Sequence, residues 1–187
     1  MIYSRQTFRI AGIAMLALLM LTATGCVVRS EQLDLTRQLT QGGSIDADRF
    51  AWRMTFNDTE ATVYAVSVGG GIVFASREGL EIAFDGADVL VVSGMPGALG
   101  MIRIDKHQDP RAHHVQGLDQ VFDVKCEARE SIGNGWRTRC RHDDGDRVYA
   151  MNHEISIAAN GDITRIEASL VPGVGPMVLM PMFQVGN

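Results

Sequence analysis

From residue 151 to residue 170, apolar side chains occupy alternate positions on both sides of Asn160-Gly161, and this pattern constrains the fold more than any other feature of the chain. An Asn-Gly pair supplies the left-handed backbone that a tight two-residue hairpin turn requires. Folding about it sets Ile157 against Thr164, Ile155 against Ile166, His153 against Ala168 and Met151 against Leu170. The other side then carries Ser156, Glu154 and Asn152 against Arg165, Glu167 and Ser169. A slip of one residue would turn those charges inward, so the pattern predicts one register.

The same period of two recurs upstream. Trp52, Met54 and Phe56 alternate with Arg53 and Thr55, and the polar turn 57–60 leads into a second run over residues 61–68. Gly69-Gly70-Gly71 reads as a bend between strands, because neither a phosphate-binding lysine nor a helix follows it. A third run follows at 72–76. A two-residue turn at Asp85-Gly86 would set Phe84 against Ala87, Ile82 against Val89 and Leu80 against Val91. The proline-bounded tail, residues 177–182, suits a core strand, a final edge strand or a partner-facing patch. No long amphipathic helix and no repeat interrupts these runs. The expectation is an all-β or nearly all-β fold, an antiparallel sandwich or open barrel of hairpins.

Ahead of this region lies a leader. Arg5 and Arg9 precede an apolar run, residues 10–21, too short to cross a bilayer as a helix, and Ala23-Thr24-Gly25-Cys26 reads as a lipobox. Cleavage before Cys26 would leave its thiol to carry the lipid, including palmitate. Val27 after it favours the outer membrane over retention at the inner one. The expected organisation is a signal peptide over residues 1–25, a lipidated N-terminus with a short helical or extended tether over 26–49, and one β-rich domain over 50–187. That mature chain carries 15 Lys and Arg against 22 acids, which argues against a nucleic-acid partner. Its two cysteines, Cys126 and Cys140, are expected to form a disulfide in an oxidising compartment.

If Cys126 and Cys140 face each other, residues 121–141 form one hairpin with Lys125 opposite Arg141, Glu127 opposite Arg139 and Arg129 opposite Arg137. Five cations would then surround one carboxylate, a stripe suited to phosphate, uronate or sulfate groups. A solvated strand face that discourages edge aggregation has the same composition. His107, Asp109, His113 and His114, and the later His142, Asp143, Asp144 and Asp146, read as polar loops, since no regular spacing aims them at one metal ion. The acidic turn lacks the distal glutamate of a calcium loop. His153, on the apolar side of its hairpin, reads as a hydrogen-bonded core or edge residue. Glu154 and Glu167 face each other beside Arg165 without forming a cleft. No G-x-S-x-G elbow and no unpaired mature cysteine offers a nucleophile. Neither an enzyme nor a cofactor is therefore expected.

The C-terminal half resembles the YjbF family, the group 4 capsule polysaccharide lipoproteins. The likeness rests on Cys26, the stretch from Asp85-Gly86 through Val91-Val92-Ser93-Gly94-Met95-Pro96-Gly97, the cysteine pair, Tyr149-Ala150-Met151-Asn152-His153 running into Asn160-Gly161-Asp162-Ile163, and Pro172-Gly173-Val174-Gly175. It implies a non-enzymatic β-rich lipoprotein accessory to capsule or exopolysaccharide production or export. Its domain would face the periplasm from the outer membrane, with an acidic polysaccharide or an export protein as partner. The residues alone leave a second reading, an inhibitor or adaptor that presents a sheet edge to a protein.

Overall fold

The computed structural model describes residues 50–182. The expected leader, lipid-bearing Cys26 and tether lie outside these residues. Strands β1 (Ala51–Phe56) and β2 (Thr59–Val68) turn at Asn57-Asp58, where Asn57 takes a left-handed φ of 53°. Trp52, Met54 and Phe56 point inward and Arg53 outward, as their alternation dictates. After Gly69-Gly70 come β3 (Gly71–Ala75), β4 (Glu81–Phe84), β5 (Val89–Ser93), β6 (Ile102–Asp105) and β7 (Arg111–Val115). A single 3-10 turn, Gln116–Leu118, precedes β8 (Gln120–Cys126) and β9 (Glu130–Ser131). Then follow β10 (Gly135–Thr138), β11 (Cys140–Asp143), β12 (Val148–Ala150), β13 (His153–Ile157), β14 (Ile163–Ala168) and β15 (Met177–Pro181).

Among the described residues, all fifteen strands join one antiparallel sheet in the order β12-β11-β8-β7-β6-β5-β4-β3-β2-β1-β15-β14-β13-β10-β9. The sheet curls into a half-barrel, so the expected fold class holds. Its two ends are halves of the same strands. Only Arg139 separates β10 from β11, yet β10 pairs with β13 at one end and β11 pairs with β8 at the other. Glu127 N–H donates to the Arg139 carbonyl at 2.8 Å, and Met151 N–H donates to the Cys140 carbonyl at 2.8 Å. The hydrogen bonding thus continues through the bends, and three long strands turn a corner together, which is how orthogonally packed sheets make their corners.

Inside the curl, Met54, Phe74, Ile82, Ile102, Ile166 and Leu179 are sealed from solvent. Trp52 meets Phe74 edge-on with ring centroids 5.1 Å apart, a favoured aromatic geometry. The tail is a core strand: β15 pairs with β1 on one side and β14 on the other, and Met177 and Leu179 are fully buried. It closes the gap between the first strand and the last hairpin.

Both hairpin registers need correction near their turns. Around Asn160-Gly161, His153 faces Ala168, Glu154 faces Glu167 and Ile155 faces Ile166 as expected, but a bulge sets Ile157 against Ile163 rather than Thr164. Ala158 N–H donates to the Asp162 carbonyl at 2.8 Å and Asn160 Oδ1 accepts from Asp162 N–H, so side-chain and backbone bonds lengthen the loop. At Asp85-Gly86 the displacement is larger: Phe84 faces Val89, Ile82 faces Val92, and Ala83 faces Val91 across a bulge. Leu80, Ile82 and Phe84 are all buried, so the inward side of β4 was legible, whereas on β5 Val92 is sealed in place of Val91. Asp85 Oδ1 accepts from Ala87 N–H at 2.9 Å and Asp88 N–H at 2.8 Å, holding a wider turn than two residues.

Candidate functional site

The outer face of the bent hairpin carries the first candidate. Cys126 and Cys140 are bridged and lie opposite each other, with Lys125 opposite Arg141. A groove of about 170 Å³ runs over the disulfide between Lys125, Glu127, Arg139 and Arg141. The five-cation stripe does not survive the bend. Past Glu127 the chain turns, so Arg137 pairs with Glu130 and Glu154 rather than facing Arg129. Both Nε and Nη2 of Arg137 donate to Glu154 Oε2, at 2.9 and 2.7 Å. Arg139 lies 2.8 Å from Glu130. Arg129 leaves the stripe and, still partly exposed, pairs with the buried Asp88. Among the described residues, Lys125 and Arg141 have no carboxylate within ion-pair distance. The groove therefore presents two uncompensated cations with Arg139 beside them, enough to hold one carboxylate, phosphate or sulfate group at a time.

The second candidate is inside the corner, and the sequence did not announce it. Asp88, only 4% exposed, holds Arg111 Nη1 at 3.1 Å and Arg129 Nη2 at 3.4 Å on its two oxygens. The Arg129 guanidinium also lies over the Trp136 ring, 5.7 Å from its centroid. Against this charged trio sit two buried imidazoles, His113 from β7 and His153 from β13, with ring centroids 6.2 Å apart. His113 Nδ1 lies 2.9 Å from the Leu170 carbonyl; an oxygen there can only accept, so Nδ1 carries the proton and Nε2 the lone pair. His113 Nε2, both nitrogens of His153 and Trp136 Nε1 are buried without a hydrogen-bond partner.

His153 is thus a core residue, as its position on the apolar side predicts, but it is not hydrogen-bonded as expected. Burial, opposed by Asp88 and assisted by His113, Arg111 and Arg129, pushes its pKa down to about 4. Burial also lowers His113, with the Leu170 bond acting against it and Arg111 and His142 with it. The signal that could have located this site is parity: Arg111, His113 and Val115 share one side of β7, and Val115 is sealed in the core. A charged residue and a histidine on an inward side need an internal partner.

The remaining polar clusters stay apart. His113 and His114 belong to strand β7 rather than a loop, and His142 Nδ1 bonds the Asp123 carbonyl at 2.9 Å while its ring packs between Phe122 and Tyr149. No group of three or more metal-capable side chains converges among the described residues. Glu154 and Glu167 face each other, each with its own arginine, Arg137 and Arg165. A cleft of about 290 Å³ on the outer side of β6–β8 is lined by Met101, Arg103, His114 and Val121.

The curled antiparallel sheet with its bent corner strands has a counterpart among solved structures. The chain is similar in fold to YmcC. That crystal structure, of the hypothetical lipoprotein YmcC from Escherichia coli (K12), superposes with a TM-score of 0.52 over 81% of this chain and 96% of YmcC. The two sequences are 10% identical, so the likeness shows the fold alone. No protein-family model and no curated protein matches the sequence.

Proposed function

We propose that this chain is a non-enzymatic lipoprotein, anchored through Cys26 in the outer membrane with its domain facing the periplasm, that supports capsule or exopolysaccharide production or export. The observation that carries the reading is the fold shared with YmcC, whose name as a lipoprotein matches the leader and lipobox of this chain. The resemblance to the YjbF family supplies the polysaccharide context. The groove over the disulfide supplies a contact of suitable chemistry: Lys125, Arg139 and Arg141 would take the acidic substituents of a polymer one at a time. Weak, repeated charge pairing of this kind holds a moving chain without trapping it, and it weakens as salt rises.

The adaptor reading has thinner support. It needs a free strand to extend, and the end strands β12 and β9 are three and two residues long, a length that discourages pairing with another chain.

Deleting the gene and restoring either the wild-type chain or a Lys125→Gln/Arg139→Gln/Arg141→Gln variant tests the reading. Surface and secreted polysaccharide should fall in the deletion strain, and the triple variant should restore it poorly while folding and anchoring normally. Unchanged polysaccharide in the deletion strain removes the accessory role. Full restoration by the triple variant removes the groove from it. Palmitate labelling tests the anchor separately: wild type should take up label and Cys26→Ser should not.

A further inference from the structure

The corner where the two ends of the sheet meet is unlike the rest of the interior. Elsewhere the inward face is apolar, whereas here His113 on β7 and His153 on β13 approach from strands nine places apart in the sheet order. Each ring is sealed, with 0% and 4% of its residue exposed. Three of their four nitrogens have no partner, so a proton added to either ring would bring a charge with no acceptor waiting for it.

The charges facing the pair decide what a proton would do. Among the described residues Asp88, in the turn before β5, is the carboxylate whose charge acts on both rings, and both its oxygens are committed to guanidinium groups. Arg111 comes from the same strand as His113, and Arg129 from the bend between β8 and β9. His142 on β11 adds a further titratable ring on the His113 side. Glu154 and Glu167, the carboxylates nearest in sequence to His153 and Ala168, are engaged by Arg137 and Arg165 on the opposite side of their strands. Two imidazolium ions would therefore confront each other and two guanidinium ions across a space holding a single negative charge.

We propose that the His113–His153 pair is an acid-operated latch: neutral, it lets the two ends of the curled sheet close on each other, and protonated, it parts them at the corner while the apolar wall stays folded. The loosened segments are those that carry the pair and its neighbours, β7, the bend through Arg129, and β13 with the start of the loop at Leu170. The bend also carries the groove over the disulfide, so the latch couples the outer face to acidity. Uptake is reversible proton binding at ring nitrogens, with no other chemistry involved. The inference rests on the corner geometry alone and is independent of the polysaccharide reading.

Amide hydrogen exchange on the mature chain, followed stepwise from pH 7.5 to pH 4 and corrected for the intrinsic pH dependence of exchange, tests it. Exchange should rise at least tenfold in β7, β13 and residues 168–170 and change less than twofold in β1 and β15. His153→Phe, which keeps a ring but cannot titrate, should remove most of that rise. NMR titration of the ring protons in wild type gives a second readout that requires no variant. His153 should titrate well below a free imidazole, and its midpoint should coincide with the corner opening. Should His153→Phe fail to fold, His153→Gln replaces it. Uniform exchange across all strands at pH 4, an unchanged corner in wild type at that pH, or an undiminished rise in the folded variant would each overturn the latch.

Discussion

The wall around Met54, Phe74 and Leu179 and the corner around Asp88, His113 and His153 are buried to the same degree but are held by different physics. In the wall every inward side chain is apolar, so burial is its own stabilisation and each added contact helps. In the corner a carboxylate and two imidazoles are taken from water beside a half-buried Arg111 and a partly exposed Arg129, and each buried group must be repaid by a partner or kept neutral. Closure of this sheet is therefore conditional. The wall holds at any pH that keeps the chain folded, whereas the corner depends on the protonation of two rings.

The largest loss is expected in the wall. Phe74→Ala removes a sealed ring packed edge-on against Trp52 and should cost about 4 kcal/mol, read as a lower urea midpoint at unchanged slope. Acid should act on the corner instead. Because His153 is lowered from 6.5 to about 4, both folded and unfolded states are neutral at this ring above pH 6.5 and no penalty arises there. As pH falls from 6.5 to about 4 the unfolded chain takes up the proton first, and about 3 kcal/mol of stability is lost across that window. Denaturant midpoints measured every half pH unit should show the loss, and His153→Phe should flatten it.

Smaller effects sharpen the same contrast. Cys126→Ser opens a link between residues 14 apart on two of the three strands that turn the corner, and should cost about 3 kcal/mol or slightly less by the same urea measurement. Asp88→Asn leaves Arg111, with only 17% of its side chain exposed, facing Arg129 without a counter-charge. Its cost should be about 2 kcal/mol, discounted for the partly exposed Arg129, and should depend on salt more than that of Phe74→Ala. Lys125→Gln with Arg141→Gln touches neither region and should shift stability by less than about 0.5 kcal/mol.

What the sequence determined by itself is local and periodic. Alternation at Trp52-Met54-Phe56 and at Ile155 with Ile166 marked strands and their inward sides, because the two-residue period of a strand leaves no third option for an apolar side chain. The even pair of cysteines also pointed to the Cys126–Cys140 bridge. Turn residues marked where hairpins reverse, but not their last pairings: Asp85 and Asn160 bind their own loops and insert a bulge, a side-chain bond that periodicity does not encode. Only the tertiary structure decided that residues 120–157 bend in the middle and belong to both ends of one sheet. That bend moved Arg129 from the stripe to a buried carboxylate and set His113 beside His153, while pairing with β1 and β14 made the tail an interior strand. These contacts join residues 40 or more positions apart, and pairing at that distance follows from how the whole sheet closes rather than from any pattern within one strand.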